Sequence, residues 1–300
     1  MERPFILRVV ALATILAAGV VPATPARADA KPARTTKPAR NAQTARNAQP
    51  VRAAKPAPKT LHAKTRPAAE PPGGYAWCAE ELEALPNGLC YIDGRSAEAR
   101  EDATARRTLV VFLHGMIAKD VDWQWLQARA LNRQAKQSKF EAVFARAPLG
   151  PAGYVWPGTR TAQEASEQEL IDGWKQARTF LEQRNGRAYD EVFLMGFSSG
   201  AYFVSSLAMR GRVDFDGYAV FAGGAGGYAA PNVTNKAPVY VGVCAQDRQT
   251  AAHSRAFGGL LAARGWPSRV DEQKVGHMFS DIHVAHAITY LRNAKKSRSE

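Results

Sequence analysis

Continuous apolar runs alternate along most of the chain with longer segments of mixed polarity. Apolar runs this short are typical of strands that are buried on both faces of a sheet. The predicted strands span residues 109–113, 142–145, 192–195, 218–221 and 239–244, with a further strand near 270–275. Such runs predict a sheet whose central strands are covered on both sides.

The segments between these runs have the periodicity of helices. Leu170, Trp174, Ala177 and Leu181 recur at spacings of three or four residues, which places them on one helical face. Helices are predicted at residues 163–183, 201–209, 251–264 and 281–293. Ser280 is the predicted N-cap of the last helix. Strict alternation of strand and helix predicts an α/β fold: a doubly wound, mostly parallel sheet with helices on both faces.

The first thirty residues have a different pattern, that of a secretory signal peptide. A short basic start is followed by an apolar run from Val9 to Val21 and then by small residues up to Ala30, after which cleavage is predicted. A membrane anchor is the alternative, but an apolar run of about a dozen residues is short for a bilayer span. We therefore expect an exported protein, either periplasmic or secreted.

Residues 31–73 are rich in Ala, Pro, Lys and Arg, which predicts a disordered linker ahead of a folded domain at 74–300. Residues 31–69 carry ten basic residues and no acidic one. They account for most of the net charge of +13 and leave about +2 on residues 70–300, so nucleic-acid binding is not expected. This basic tail is either a solvated spacer or an electrostatic tether to an anionic envelope surface.

The chain contains three cysteines. In an oxidising compartment Cys78 and Cys90 can close a short loop at the start of the folded domain, although sequence alone does not determine the pairing. Cys244 ends an apolar run and is expected to be a buried small hydrophobe. Their spacing indicates no zinc site, and neither a metal nor an organic cofactor is expected.

Residues 196–200 read Gly-Phe-Ser-Ser-Gly and lie between a predicted strand and a predicted helix. This is the nucleophile-elbow pattern in its expected context. The sharp turn brings backbone against backbone, so it requires glycine two positions on either side of the nucleophile. Only Ser198 has glycine at both positions. Ser198 is therefore the predicted nucleophile.

A serine nucleophile needs a base, and the base needs an acceptor that fixes its tautomer. Beyond the elbow, Asp214 and Asp216 precede a strand and so lie at the wrong end of the sheet, and there is no further Asp or Glu before Asp247. Asp247 closely follows the strand at 239–244 and is the predicted acid. His277 follows the next strand and is the predicted base.

The remaining histidines of the folded part have other predicted roles. His253 is only six residues after Asp247 and too close in sequence to reach the elbow. His283 and His286 lie three apart on the last helix, where a capping or surface role is favoured over a metal pair. His114, directly after the first long strand, is predicted to be a structural hydrogen-bonding residue.

A tetrahedral intermediate needs N–H donors aimed at its oxyanion. The predicted donors are the backbone N–H groups of Ser199, at the start of a helix, and of Met116, in the loop after the first long strand. The candidate substrate-binding aromatic residues are Trp123, Trp125, Tyr154 and Trp156. They lie in predicted loops that face the site, although two of the four could instead pack these loops onto the core. The segment between 221 and 239 is too short for a large cap domain.

His114-Gly115-Met116, residues 196–200, Asp247 and His277 together resemble the α/β-hydrolase superfamily over about residues 105–295. The compact layout is similar to small serine esterases of the polyhydroxyalkanoate-depolymerase, feruloyl-esterase and dienelactone-hydrolase kind. Dienelactone hydrolases carry cysteine at the elbow, where this chain has serine.

The resemblance implies a serine esterase that cleaves a small-molecule or polymer ester through an acyl-enzyme. A serine peptidase or amidase with the same triad, and a non-catalytic binding protein on the same fold, are the alternatives. The natural substrate and the oligomeric state are left open by the sequence.

Overall fold

The computed structural model of the protein describes residues 76–119, 121–224 and 233–299. The predicted signal peptide and the whole of the predicted linker lie outside these residues. The strands are β1 (Glu83–Ala84), β2 (Cys90–Asp93), β3 (Thr108–Leu113), β4 (Glu141–Ala145), β5 (Leu149–Gly150), β6 (Gly153–Tyr154), β7 (Glu191–Phe197), β8 (Gly217–Phe221), β9 (Val239–Cys244) and β10 (Ser268–Gln273). The helices are α1 (Ala97–Glu101), α2 (Trp123–Ser138), α3 (Arg160–Arg184), α4 (Ser199–Arg210), α5 (Ala251–Ala263) and α6 (Asp281–Ser299).

Eight of the strands form one sheet in the order β1-β2-β4-β3-β7-β8-β9-β10. Neighbouring strands are parallel from β4 to β10, whereas β2 runs antiparallel to β4 and β1 runs antiparallel to β2. The chain winds outward from the centre in both directions, as doubly wound sheets do. The predicted mostly parallel α/β sheet is confirmed.

Every residue of β3, β4, β7, β8 and β9 is buried. Burial on both faces explains why these strands read as continuous apolar runs without alternation. Strand β10 lies at the sheet edge and is nowhere fully buried, so its sequence is mixed in polarity. Because its sequence has no continuous apolar run, the strand predicted at 270–275 is displaced by two residues from the observed strand at 268–273.

Helix α2 is not revealed by the periodicity of the sequence. Its buried face carries Gln124 and Gln134 together with the small Ala128 and Ala135, which weakens the apolar period. For this reason the sequence predicts a loop at Trp123 and Trp125, whereas the structure has a helix there. No helix in the described part of the chain is long and apolar enough to cross a membrane.

A disulfide joins Cys78 to Cys90, the pairing that the sequence left open. Since Cys90 begins β2, the bond ties the segment before β1 to the sheet. Trp77 is buried beside it, with its ring stacked on Phe144. Cys244 is buried at the end of β9, as predicted.

Glu141 is a fully buried carboxylate at the amino end of β4. It accepts hydrogen bonds from the hydroxyls of Tyr91 at 2.6 Å and Tyr189 at 2.8 Å. The guanidinium of Arg107 donates to it at 3.0 Å, and Arg95 Nε lies 3.3 Å away. A buried carboxylate is tolerated here because its oxygens are surrounded by donors.

The Glu141→Gln variant is expected to lose about 3 kcal/mol of unfolding free energy, because the buried Arg107 loses its counter-ion. Urea denaturation measures this loss as a lower midpoint. The matched control is Glu164→Gln, which removes an exposed pair with Arg160 and should cost less than about 1 kcal/mol. Equal midpoints for the two variants would contradict the prediction.

Candidate active site

Ser198 occupies the turn between β7 and α4 with φ 51° and ψ −117°, a backbone conformation that residues other than glycine rarely adopt. The flanking glycines make this turn possible. A Cβ on Gly196 would lie 2.5 Å from the carbonyl carbon of Gly200, and a Cβ on Gly200 would lie 2.2 Å from the carbonyl oxygen of Leu113. The turn therefore has the geometry that the elbow pattern predicts.

Three side chains from distant parts of the sequence form a hydrogen-bonded chain at the elbow. Ser198 Oγ lies 2.9 Å from His277 Nε2, and His277 Nδ1 lies 2.6 Å from Asp247 Oδ2. The three residues follow β7, β10 and β9, so all lie beyond the carboxyl ends of parallel strands. The structure thus brings together the three residues that the sequence selects.

Asp247 is buried, and burial by itself raises the pKa of a carboxyl group. Hydrogen bonds from the hydroxyl of Thr250, from His277 and from the backbone N–H of Gln249 outweigh burial and lower the pKa of Asp247 to about 2. The carboxylate is therefore ionised at neutral pH and accepts the Nδ1–H of His277. That tautomer leaves Nε2 as an acceptor facing the Ser198 hydroxyl.

Thr250 is a residue of the site that the sequence reasoning missed. Its hydroxyl and its backbone N–H both donate to Asp247, directly before α5 begins. The available signal is the Asp-x-x-Thr spacing ahead of a predicted helix, since Asp side chains commonly accept from backbone N–H groups a few residues on.

The loop after β3 is joined to the elbow. The carbonyl of His114 accepts from the backbone N–H of Gly200 at 3.2 Å and from Trp156 Nε1 at 2.8 Å. A Cβ on Gly115 would lie 3.3 Å from the Cβ of Ser198 and closer still to the ring of Phe197. A side chain here would force the ring of Phe197 to move, because the loop passes directly against the elbow.

Two backbone N–H groups flank this junction. Ser199 is the first residue of α4, and Met116 follows Gly115 in the loop after β3. Among the described residues, neither N–H has a hydrogen-bond acceptor. These are the two groups that the sequence selects as donors to an oxyanion.

His114 is fully buried, with the backbone as the hydrogen-bond partner of both ring nitrogens. Nδ1 bonds the carbonyl of Gly115, and Nε2 accepts from the backbone N–H of Ala147 at 3.2 Å. The neutral Nδ1–H tautomer satisfies both contacts. Burial lowers the pKa of His114 to about 4, against the opposing effect of its bond to Gly115. His114 therefore has the structural role that the sequence predicts.

Stability is expected to fall by about 2 kcal/mol between pH 7 and pH 4.5, because His114 binds a proton in the unfolded chain and not in the folded one. The loss begins below the ordinary histidine pKa of about 6.5 and ends near the folded pKa of about 4. Urea midpoints measured across this range test it. The His114→Gln variant should show a flatter dependence on pH, and an identical slope in the two proteins would contradict this origin.

The other histidines lie outside the triad. His253 Nδ1 is 2.6 Å from the hydroxyl of Tyr202, and His286 Nδ1 is 2.6 Å from Asp271. The predicted capping or surface role is wrong for His283, which is fully buried against the ring of Phe221. Helix α6 packs directly on β8 and β9, so this position faces the sheet. The described residues contain no cluster of three or more side chains suited to a metal ion.

The four candidate aromatic residues divide into two pairs. Tyr154 and Trp156 are buried, and the ring of Trp156 stacks on Phe203. These two pack their loop onto the core, which is the alternative that the sequence left open for two of the four. Trp123 and Trp125 lie in the first turn of α2, with Trp123 half exposed and Trp125 Nε1 bonded to a backbone carbonyl. They remain candidates for contact with a substrate.

Exposed apolar side chains cluster in segments next to the triad, and we call them the apolar rim. They are Met116, Trp123, Leu126, Met278 and Ile282. Gln127 Oε1 accepts from the backbone N–H of Gly115 at 2.8 Å, which holds the start of α2 against the loop. An ion pair at 2.9 Å between Arg133 and Asp281 joins α2 to the start of α6. The rim therefore belongs to segments that are joined to one another and to the loop beside Ser198.

Known structures share this architecture. A carboxylesterase from Mesorhizobium loti matches with a TM-score of 0.52 and 18% identity, over 71% of this chain and 99% of its own. A Bacillus cereus carboxylesterase gives a TM-score of 0.49 and 13% identity, over 72% of this chain and 95% of its own. No protein-family model and no curated protein matches the sequence. From its strand order, its elbow and the first of these matches, the chain has the α/β-hydrolase fold.

Proposed function

We propose that this protein is a serine hydrolase of carboxylic esters, with Ser198 as the nucleophile. The observation that carries the proposal is the hydrogen-bonded chain from Ser198 through His277 to Asp247, at 2.9 Å and 2.6 Å. Each bond joins the atoms that the chemistry requires: hydroxyl to Nε2, and Nδ1 to carboxylate.

In the acylation step, Ser198 Oγ attacks the ester carbonyl while His277 Nε2 takes the hydroxyl proton. Asp247 stabilises the resulting imidazolium. The negative oxygen of the tetrahedral intermediate accepts from the N–H groups of Ser199 and Met116. Collapse breaks the bond to the alcohol oxygen, which leaves with the proton from Nε2. In deacylation, water loses a proton to Nε2 and attacks the acyl carbon. Collapse breaks the bond to Ser198 Oγ, which takes the proton back from Nε2, and the acid leaves.

The chemistry is tested by labelling the folded protein with a fluorophosphonate and locating the modified residue by mass spectrometry. We expect the label on Ser198 alone. Rates on nitrophenyl and hydroxycinnamoyl esters are then compared with rates on aminoacyl amides of similar size. Faster amide cleavage would replace the esterase proposal by a peptidase, and unlabelled folded protein would favour a non-catalytic binding protein.

The apolar rim favours esters with an apolar acyl or aryl group. Leu126→Ser is expected to raise KM for a nitrophenyl octanoate about tenfold, and to change KM for the acetate little, because only the longer chain reaches the rim. The matched control is Phe180→Ser, which alters an exposed apolar side chain on α3. Equal effects on octanoate and acetate would argue against contact with the acyl chain.

We also propose that the protein is exported and that its basic tail binds an anionic envelope surface. The predicted signal peptide supports export, as does the Cys78–Cys90 disulfide, because such bonds persist in oxidising compartments. Deleting residues 31–69 should abolish salt-sensitive binding to anionic vesicles and leave hydrolysis of a small ester intact. If vesicle binding survives the deletion, the tail is a spacer.

A further inference from the structure

A cavity of about 820 Å³ lies on the side of the molecule away from the elbow. Val192, the second residue of β7, lines this cavity, whereas Ser198 follows the carboxyl end of the same strand. At about 3.3 Å per residue, Val192 is roughly 20 Å from Ser198 along the strand. The other walls are Val111 in the middle of β3, Tyr218 in β8, α3, the end of α4 and the segments that precede β8 and β9. The cavity is therefore separate from the triad.

The inner wall of the cavity is apolar. Ile171 and Trp174 contribute from α3, and Val192, Phe215 and Tyr218 from the sheet side. The hydroxyl of Tyr218 donates to the backbone carbonyl of residue 213 at 2.7 Å, so its polar atom already has a partner. A volume of this size is typical of sites for small organic ligands. The inner wall suits an alkyl chain or another apolar group.

Three arginines at the edge of this cavity, Arg178, Arg210 and Arg212, pair with only two glutamates. Arg178 is paired with Glu182 at 2.9 Å. Arg210 and Arg212 share a single carboxylate, that of Glu167. One arginine charge is thus left without a full counter-ion.

Lys175 adds a further positive charge at the edge. It stands one helical turn before Arg178 on the same face of α3, is exposed, and has no hydrogen-bond or ion-pair partner among the described residues. Asp214 is the one acidic residue that lines the cavity in the described part of the chain. The balance at the edge is positive, which favours an anionic group there.

We propose that this cavity binds a single-chain anionic amphiphile, such as a medium-chain carboxylate. The alkyl chain lies against Trp174 and Phe215, and the carboxylate lies at the edge beside Lys175 and Arg212. The protein's own basic tail does not fit as the occupant, because residues 31–69 carry ten positive charges and almost no large apolar side chains. The proposal does not depend on the proposed hydrolysis.

The test is calorimetric titration of the full-length Ser198→Ala protein with sodium decanoate below its micelle concentration. We expect one decanoate per chain and much weaker binding of decyltrimethylammonium, which has the same chain and the opposite charge. Lys175→Glu should weaken decanoate binding about tenfold. The matched control, Lys136→Glu on α2, should leave it unchanged.

A second variant tests whether the apolar inner wall of the cavity binds the alkyl chain. Ala208→Phe places a larger side chain in the cavity and should abolish binding, with its urea midpoint measured to verify that it folds. Labelling of Ser198 by fluorophosphonate in the wild-type protein should proceed at the same rate with decanoate present. The proposal is overturned if decanoate does not bind, if Lys175→Glu binds it as tightly, if the two ions bind equally, or if decanoate blocks labelling.

Discussion

Replacing Ser198 by alanine is expected to lower kcat for ester hydrolysis by about 10⁶-fold. Without Oγ the acyl-enzyme cannot form, and His277 has no hydroxyl to deprotonate. The fold should persist, because alanine keeps the backbone of the elbow and its two flanking glycines. Activity is measured at pH 7.5 on a nitrophenyl ester, with circular dichroism to verify the fold.

The control for this change is Ser166→Ala on α3, whose hydroxyl donates only to the backbone carbonyl of Ala162. It removes the same atom far from the elbow and should retain wild-type activity. If Ser198→Ala kept a tenth of the activity or more, the nucleophile would have to be another group.

Replacing Asp247 by asparagine is expected to lower kcat by about 10⁴-fold. An asparagine amide can present N–H to His277 Nδ1, which selects the tautomer whose proton is on Nε2. That nitrogen then faces the hydroxyl of Ser198 as a donor and cannot take its proton. The loss follows from the wrong tautomer, since the shape of the side chain is unchanged.

A comparison with Thr250→Val separates the effect of the Asp247 charge from the effect of the hydrogen bond that holds this carboxylate in place. This variant removes one hydrogen bond to Asp247 and keeps the carboxylate, so a loss of about tenfold is expected. The double variant Ser198→Ala with Asp247→Asn should be no slower than Ser198→Ala alone, because the residues of a triad act as a unit. Losses that multiply in the double variant would show that Asp247 acts independently of Ser198.

Local sequence alone predicts much of the fold and of the triad. Strands buried on both faces are apolar along most of their length, so the central strands can be located from the sequence without knowing what covers them. Ser198 is selected by two glycines within five residues. Asp247 and His277 are selected by their order and by their positions after strands, which places them at one edge of a parallel sheet.

The tertiary structure decided which side chains are buried and which side chains contact each other across the fold. Trp123 and Trp156 are both predicted to lie in loops that face the site, yet one is half exposed on α2 and the other is buried in the core. His283 is buried because α6 packs on the sheet, and Thr250 donates to Asp247 because of the turn before α5. The sequence by itself selected the proposed nucleophile, base and acid, because this selection follows from local pattern and chain order. The apolar rim and the cavity away from the elbow are formed by segments far apart in the chain, and no local pattern encodes their meeting.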